Sequence, residues 1–311
     1  MSDAGQPVET RRGAGPRIVA AAVAIGVALL AVAAAAQQTK SPRVDGGAAL
    51  RHVERLVAIG PRPSGSTALD RARDYIVGEL RRSGIETRVR RFDAATPHGR
   101  IGMANIVAVL PGRRPDVIML AGHYDTKWFK ELRFVGANDG GSSAALLIEL
   151  ARALQAAPRE FTYWIVWFDG EEARVRWTAE DSLYGSRRLA GELQREGRLP
   201  KALIVVDMIG DRDLGILRET LSTAWLTDLL WASAARLGHG RHFLRDEQQV
   251  EDDHAPFLRL GVPAALLIDF DFPPWHTAGD TPDTVSAKSL AIVGEVVLDA
   301  LPAIEQRLAG R

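Results

Sequence analysis

Residues 164–188 read WIVWFDGEEARVRWTAEDSLYGSRR. The stretch opens inside an apolar run over 163–168, rich in aromatic and β-branched side chains. That run predicts a buried strand closed by the turn pair Asp169-Gly170. Two adjacent carboxylates, Glu171 and Glu172, follow at once. Side by side at the end of a buried strand they repel each other in a low-dielectric place, and a cation is the simplest compensation. Neighbouring residues point in different directions, so one carboxylate can bind a metal while the other faces a substrate as a proton carrier. Alone, a Glu-Glu pair equally starts a solvated helix, where acids favour the dipole. The rest of the chain decides between the two.

Upstream, amphipathic helices are expected over 49–59 and 66–83, separated by the turn-rich GPRPSGS. Residues 87–92 alternate as a half-exposed strand, and 105–110 and 117–121 read as two more, the last nearly continuous in apolar residues and central. Directly after it comes HYDTK (123–127), which puts a histidine and an acid where open α/β sheets place their ligand sites. GANDGGSS (136–143) then leads into a helix with Leu146, Leu147, Leu150 and Leu154 on its buried side. Downstream, a helix is expected over 183–194 and a buried strand over 202–206, ended by DMIG. A helix over 221–237 and a helical turn opened by EDDH (251–254) precede the last strand over 263–268. A loop with Phe270, Phe272, Trp275 and His276 and a closing helix over 287–301 complete the chain. Strands alternating with helices make this an α/β chain.

The 311 residues are 46% hydrophobic and 25% charged, with acidic and basic side chains in equal number. This is ordinary globular composition, and the zero formal charge gives no support for nucleic-acid binding. Cysteine is absent, which excludes disulfides, thiolate zinc sites and cysteine nucleophiles. Any metal must be held by His, Asp or Glu. His52, His98, His239 and His242 are expected at the surface.

Residues 1–17 form a basic n-region expected on the cytoplasmic side. The run over 18–36 carries no charge and ends in four alanines, Ala33 to Ala36. It fits a secretory signal or a single transmembrane anchor, and either puts the remainder outside the cytoplasm, secreted, periplasmic or anchored. Membrane contact is expected only through this segment. Residues 37–45 are a polar linker, and 46–311 are long enough for one α/β domain with a substantial core.

Five strand ends carry metal-capable groups: His123 with Asp125, Asp139, Glu171 with Glu172, Asp207, and His276. Loop acids need not coincide with one edge of a sheet, so their recurrence there points to a site. Oxygen and imidazole donors without sulfur suit zinc with an open coordination position. No G-x-S-x-G elbow, phosphate loop or H-E-x-x-H helix competes.

HYDTK, GANDGGSSA (136–144), FDGEEA (168–173), WTAEDSLYGSR (177–187), DMIGD (207–211), EDDHAPFLRLGVP (251–263) and WHTAGDTPD (275–283) together resemble the M28-type zinc aminopeptidases, and within them the glutaminyl cyclases. The tract 177–187, the Asp252-Asp253 doublet and Trp275 before His276 are the cyclase-like part. The resemblance implies a single three-layer α/β/α domain with a mixed, mostly parallel sheet; the chain is expected to act as a monomer. It implies one zinc held by Asp139, Glu172 and His276, and cyclisation of N-terminal glutaminyl residues of peptides to pyroglutamate with release of ammonia. Glu171 would carry the proton in a hydrogen-bonded acid network with Asp207 and Asp253. Trp177, Phe272 and Trp275 would hold the folded substrate side chain.

Two alternatives stay open. With His123 and Asp207, and Asp125 nearby, a second zinc could sit beside a bridging Asp139, and the chain would be a di-zinc aminopeptidase releasing N-terminal residues. A catalytically inactive, membrane-tethered peptide-binding domain would require loss of a ligand or of the proton carrier, and all are present. The chain departs from animal-type cyclases in having no cysteine, and its loop FDFPP before Trp275 leaves preference beyond the first residue undetermined.

Overall fold

The computed structural model describes residues 43–310, together with 1, 2 and 5–7. The chain divides into two units, residues 1–41 and 42–311, and all the elements below belong to the second. The apolar segment expected over 18–36 lies outside the described residues, as do most of the n-region and the linker. Among the described residues no helix is long and apolar enough to cross a membrane.

In chain order the elements are α1 (Gly46–Ile59), α2 (Thr67–Arg82), β1 (Glu86–Thr96), β2 (Gly99–Leu110), β3 (Val117–His123), α3 (Gly141–Gln155), β4 (Thr162–Phe168), α4 (Tyr184–Arg195), β5 (Ala202–Asp207), β6 (Ile216–Glu219), α5 (Ala224–Arg236), β7 (Phe243–Gln248), α6 (Ala255–Leu258), β8 (Ala264–Ile268) and α7 (Ala287–Ala309). Side-chain caps fix several helix starts. Asp45 accepts from Ala48 N and Ser66 from Leu69 N, supplying acceptors to otherwise orphaned N–H groups.

Six strands form the main sheet in the order β1-β2-β4-β3-β5-β8. β1, β2 and β4 pair antiparallel, while β4, β3, β5 and β8 run parallel. Each strand's alternation feeds two cores. On β4, Tyr163, Ile165 and Trp167 face one core with α1, α2, α3, α5 and α7. Trp164, Val166 and Phe168 face the other, with Leu189, Ala190 and Leu193 of α4 and Phe257 of α6. The run is continuously apolar because both faces are covered, which gives the expected three layers with a mixed sheet. Trp167 is fully buried and its indole N–H reaches Ala144 O at 2.9 Å. Burying such a ring contributes about 4–6 kcal/mol as an upper bound.

From β3 the chain passes through α3 to β4 on one side, then through α4 to β5 on the other. This reversal opens a crevice at the carboxyl ends of the parallel strands. Phe168, His123, Asp207 and Ile268 all end there.

Three features depart from the sequence reading. β6 and β7 form a separate two-stranded parallel sheet. α7 continues through Pro302 to Ala309. His52 is not at the surface: it is buried between Tyr75 Oη at 2.6 Å and Glu149 Oε1 at 3.3 Å.

Candidate active site and metal centre

β3 delivers His123, whose Nε2 lies 3.0 Å from Asp207 Oδ1 at the end of β5 and 3.3 Å from Asp139 Oδ1. Asp125 stands behind the ring, 3.5 Å from Nδ1, and is fully buried. It therefore orients His123 rather than facing the cavity. Asp139 sits in the turn before α3, with its own N–H and that of Asn138 donated to the Asp280 carboxylate at 3.0 and 2.7 Å. Gly140 has φ +73°, and a Cβ there would lie 2.4 Å from Asp125 O and 3.0 Å from the His123 ring. Only glycine lets the chain turn so close to the ligands.

The second carboxylate of the Glu-Glu pair turns towards Asp139 and His276. His276 Nε2 is 3.3 Å from both Asp139 Oδ2 and Glu172 Oε1. The three residues are brought together, as are His123, Asp139 and Asp207, with Asp139 shared. His276 holds φ +55°, a left-handed conformation that costs a non-glycine residue about 1–3 kcal/mol. Trp275 stacks on its ring at 4.1 Å, and Phe129 and Phe134 meet it edge-on at 5.8 and 5.7 Å.

The donor set fits a divalent cation. Asp139 Oδ2 is buried and makes no well-formed hydrogen bond, although His276 Nε2 stands at ion-pair distance. Burial raises the Glu172 carboxyl pKa, with Asp139 adding to it against His276 and Lys127. Burial would lower the pKa of His276, but the two carboxylates outweigh it and push it up to about 9. Two carboxylate oxygens and an imidazole nitrogen within reach of one point suit zinc.

Glu171 lines the same cavity, its carboxyl pushed well above the usual range by burial and, against His123, by Glu172, Asp252 and Asp253. The hydrogen-bonded network expected among Glu171, Asp207 and Asp253 is not formed. Asp207 bonds His123 and Met208 N instead. The doublet is also corrected: Asp252 lines the cavity, while Asp253 is fully buried behind it with neither oxygen in a well-formed hydrogen bond. Burial pushes Asp252 up to about 7, with Asp207 adding to it.

The cavity holds about 500 Å³. Trp177 and Trp275 line it as expected, each 39% exposed. Phe272 does not. It points into the core beside Ile268, and Phe270 takes the wall, 4.8 Å from Trp275. Several supports were not visible in the sequence. Arg62 is fully buried and donates to Tyr124 O at 3.0 Å, Gly136 O at 2.8 Å and Val135 O, tying down the segments on either side of the ligands. The Asp181 carboxylate accepts from the backbone of Arg174, Val175 and Arg176 at 2.8–3.0 Å, fixing the loop that presents Trp177. Lys127 Nζ stands 3.6 Å from Glu172 Oε2.

Comparison with known proteins adds to this geometry. The profile of Peptidase family M28 matches residues 105–301. The chain is 30% identical over 279 residues to a glutaminyl-peptide cyclotransferase of Drosophila melanogaster, covering 80% of this chain and 78% of that one. Its fold matches the crystal structure of an Acidobacteriales bacterium glutaminyl cyclase with a TM-score of 0.83 at 40% identity, over 87% of this chain and 98% of that one. It matches that of Porphyromonas gingivalis glutaminyl cyclase with a TM-score of 0.79 at 28% identity, over 84% and 99%.

Proposed function

This chain belongs to peptidase family M28, and on that premise we propose that it is a glutaminyl-peptide cyclotransferase, converting N-terminal glutamine of peptides to pyroglutamate with release of ammonia. In the reaction the α-amine nitrogen bonds to the side-chain amide carbon, the bond from that carbon to nitrogen breaks, and one amine proton leaves with the departing ammonia. Asp139, Glu172 and His276 would hold a zinc ion, which when bound supplies Lewis acidity to the side-chain carbonyl and stabilises charge developing on its oxygen.

The protein's own groups do the rest. Glu171, facing the cavity beside Glu172, takes the proton from the α-amine and hands it to the leaving nitrogen. Asp252 faces the same space and is placed to hold the amine in orientation. Ring closure needs the side chain folded back on its own amine, and Trp177, Phe270 and Trp275 form the apolar wall that keeps it so. The acids at the cavity floor favour a cationic or amine-bearing N-terminus over a blocked one.

The observation that carries cyclisation over hydrolysis is the closed contact of His123 with Asp207. His123 is buried and does not line the cavity, whereas Asp139, Glu172 and His276 do. This supports one accessible metal position. The gathering of His123, Asp139 and Asp207 is what favours the competing di-zinc aminopeptidase. Incubation with Gln-initiated and Leu-initiated peptides separates them, reading ammonia release against free amino acid, alongside a metal count. Ammonia from the Gln peptide with one zinc per chain is expected. Free leucine with two zincs overturns the reading.

The uncharged run over 18–36, with arginines before it, supports a signal or anchor and an extracytoplasmic domain over 46–311, and that domain is proposed to act as a monomer. Fractionation and chromatography of the full chain test both.

A further inference from the structure

Five consecutive residues, Gln248 to Asp252, line the cavity, yet after Gln248 they belong to no strand or helix. What fixes them lies outside the cavity, at the end of β6. Glu219 is 3% exposed, and its carboxylate accepts from Leu221 N, Ser222 N and Ser222 Oγ, each at 2.8 Å. These local bonds alone would satisfy the turn after β6. Two further contacts cross to the strip: Val250 N at 3.3 Å and His254 Nε2 at 3.1 Å, the latter between fully buried side chains. Burial would raise the Glu219 carboxyl, but the bonds from His254, Leu221 N and Ser222 outweigh it and hold it at about 2. An ionised, saturated carboxylate is a rigid anchor. The pairing of Glu219 with Gln248 and the bond from Thr220 N to Gln248 O at 2.9 Å start the strip at the same point.

We infer that Glu219, through Val250 N and His254, is a positioning residue that sets where Val250 and the Asp252 carboxylate meet the N-terminal residue of the peptide. The inference rests on the cyclisation reading above. It gives His254 a place as the far end of this brace, two residues from Asp252 and outside the cavity.

A double-mutant cycle tests it. Glu219→Gln keeps the size but turns an NH2 towards N–H donors. In the zinc-loaded protein, kcat/KM for a Gln-initiated peptide is expected to fall about tenfold or more, with zinc content unchanged. In an Asp252→Asn background the same change is expected to cost less than about threefold, because the group it positions is already lost. Backbone amides of 248–254 are expected to exchange with deuterium about tenfold faster, while those of 123–143 keep their rates. An equal loss in both backgrounds, parental kinetics in a folded Glu219→Gln protein, or unchanged exchange in the strip overturns the inference. Should Glu219→Gln fail to fold, His254→Asn removes only the distal contact and carries the same cycle. If the parent protein releases no ammonia from Gln peptides, the cyclisation reading fails, and the exchange measurement still decides whether Glu219 holds the strip.

Discussion

Replacing Glu171 with glutamine separates what the side chain does for the reaction from what it costs the fold. Glu171 lines the cavity, while the contacts of Glu172 to His276 at 3.3 Å and Lys127 at 3.6 Å do not involve it. Metal content should therefore be kept. A positioned acid–base group contributes about 10²- to 10⁴-fold, equivalent to roughly 2.7–5.5 kcal/mol of barrier, and turnover should fall by at least about 100-fold. Stability should move the other way. The Glu171 carboxyl is held well above its ordinary pKa by burial, then by Glu172, Asp252 and Asp253 against the attraction of His123. A raised carboxyl contributes its stability below the unfolded pKa and loses it as pH rises through the folded value. At neutral pH the penalty is in force, and neutral glutamine removes it. A gain on the order of 1 kcal/mol would raise the melting temperature of the metal-free protein by about 2–4 °C, fading below about pH 4. The assay is ammonia release at saturating Gln peptide, with metal analysis and a melt in chelator. Turnover within about threefold of the parent, with zinc bound, refutes the role of Glu171.

His276→Ala removes the only imidazole of the ligand set and should abolish tight zinc binding, read by metal analysis after dialysis; full occupancy contradicts the assignment. Phe270→Ala should raise KM for Gln peptides and leave the melting temperature unchanged, whereas Phe272→Ala should cost about 3–5 kcal/mol of stability; the reverse pattern would return Phe272 to the cavity wall. Asp269 is buried with Oδ1 unpartnered, and burial raises it to about 6, so its stabilising effect is complete below the unfolded pKa and is lost as pH rises through about 6. Asp269→Asn should raise the melting temperature by a few degrees, about 1–2 kcal/mol after solvent screening, at pH 8 and not at pH 4, and equal melts at both sink the prediction.

Elements with a strong period or a long apolar run were legible in the sequence. β4 and β5 read as buried strands because both faces are covered, and α3 because its leucines recur on one side. β6 and β7 were not, since ILRE and FLRDEQ are short and half polar and owe their pairing to each other. Metal-capable residues were found by counting strand ends, which topology brings to one edge. Which of two neighbours faces the cavity was beyond that reasoning. Asp252 and Asp253 are equivalent as text, as are Phe270 and Phe272 in a loop without a period, and only backbone direction separates them. Arg62 and Glu219 stayed hidden for a related reason: Arg62 bonds backbone carbonyls more than sixty residues away, and Glu219 reaches Val250 N and His254 across more than thirty, contacts that leave no mark in side-chain spacing.

On the proposed reading, the choice between cyclisation and hydrolysis turns on how tightly one imidazole is held. Asp139 presents one oxygen to each histidine, so both chemistries share the same scaffold. His276 comes from a loop, in a strained conformation, and stays partly open to the cavity. His123 comes from the end of a central strand, has Asp125 at 3.5 Å from one nitrogen without a well-formed hydrogen bond, bonds Asp207 through the other, and is buried. A second cation would have to enter between this nitrogen and the Asp207 and Asp139 carboxylates, in a buried place where neighbours move little. Asp125 is itself held by Glu171 N at 3.3 Å and approached by Ser64 Oγ at 3.3 Å, so the ring cannot swing without disturbing the turn after β4 that carries Glu171. Asp125 contacts both the His123 ring and the backbone of Glu171, so a change at either contact is felt at the carboxylate proposed to carry the proton.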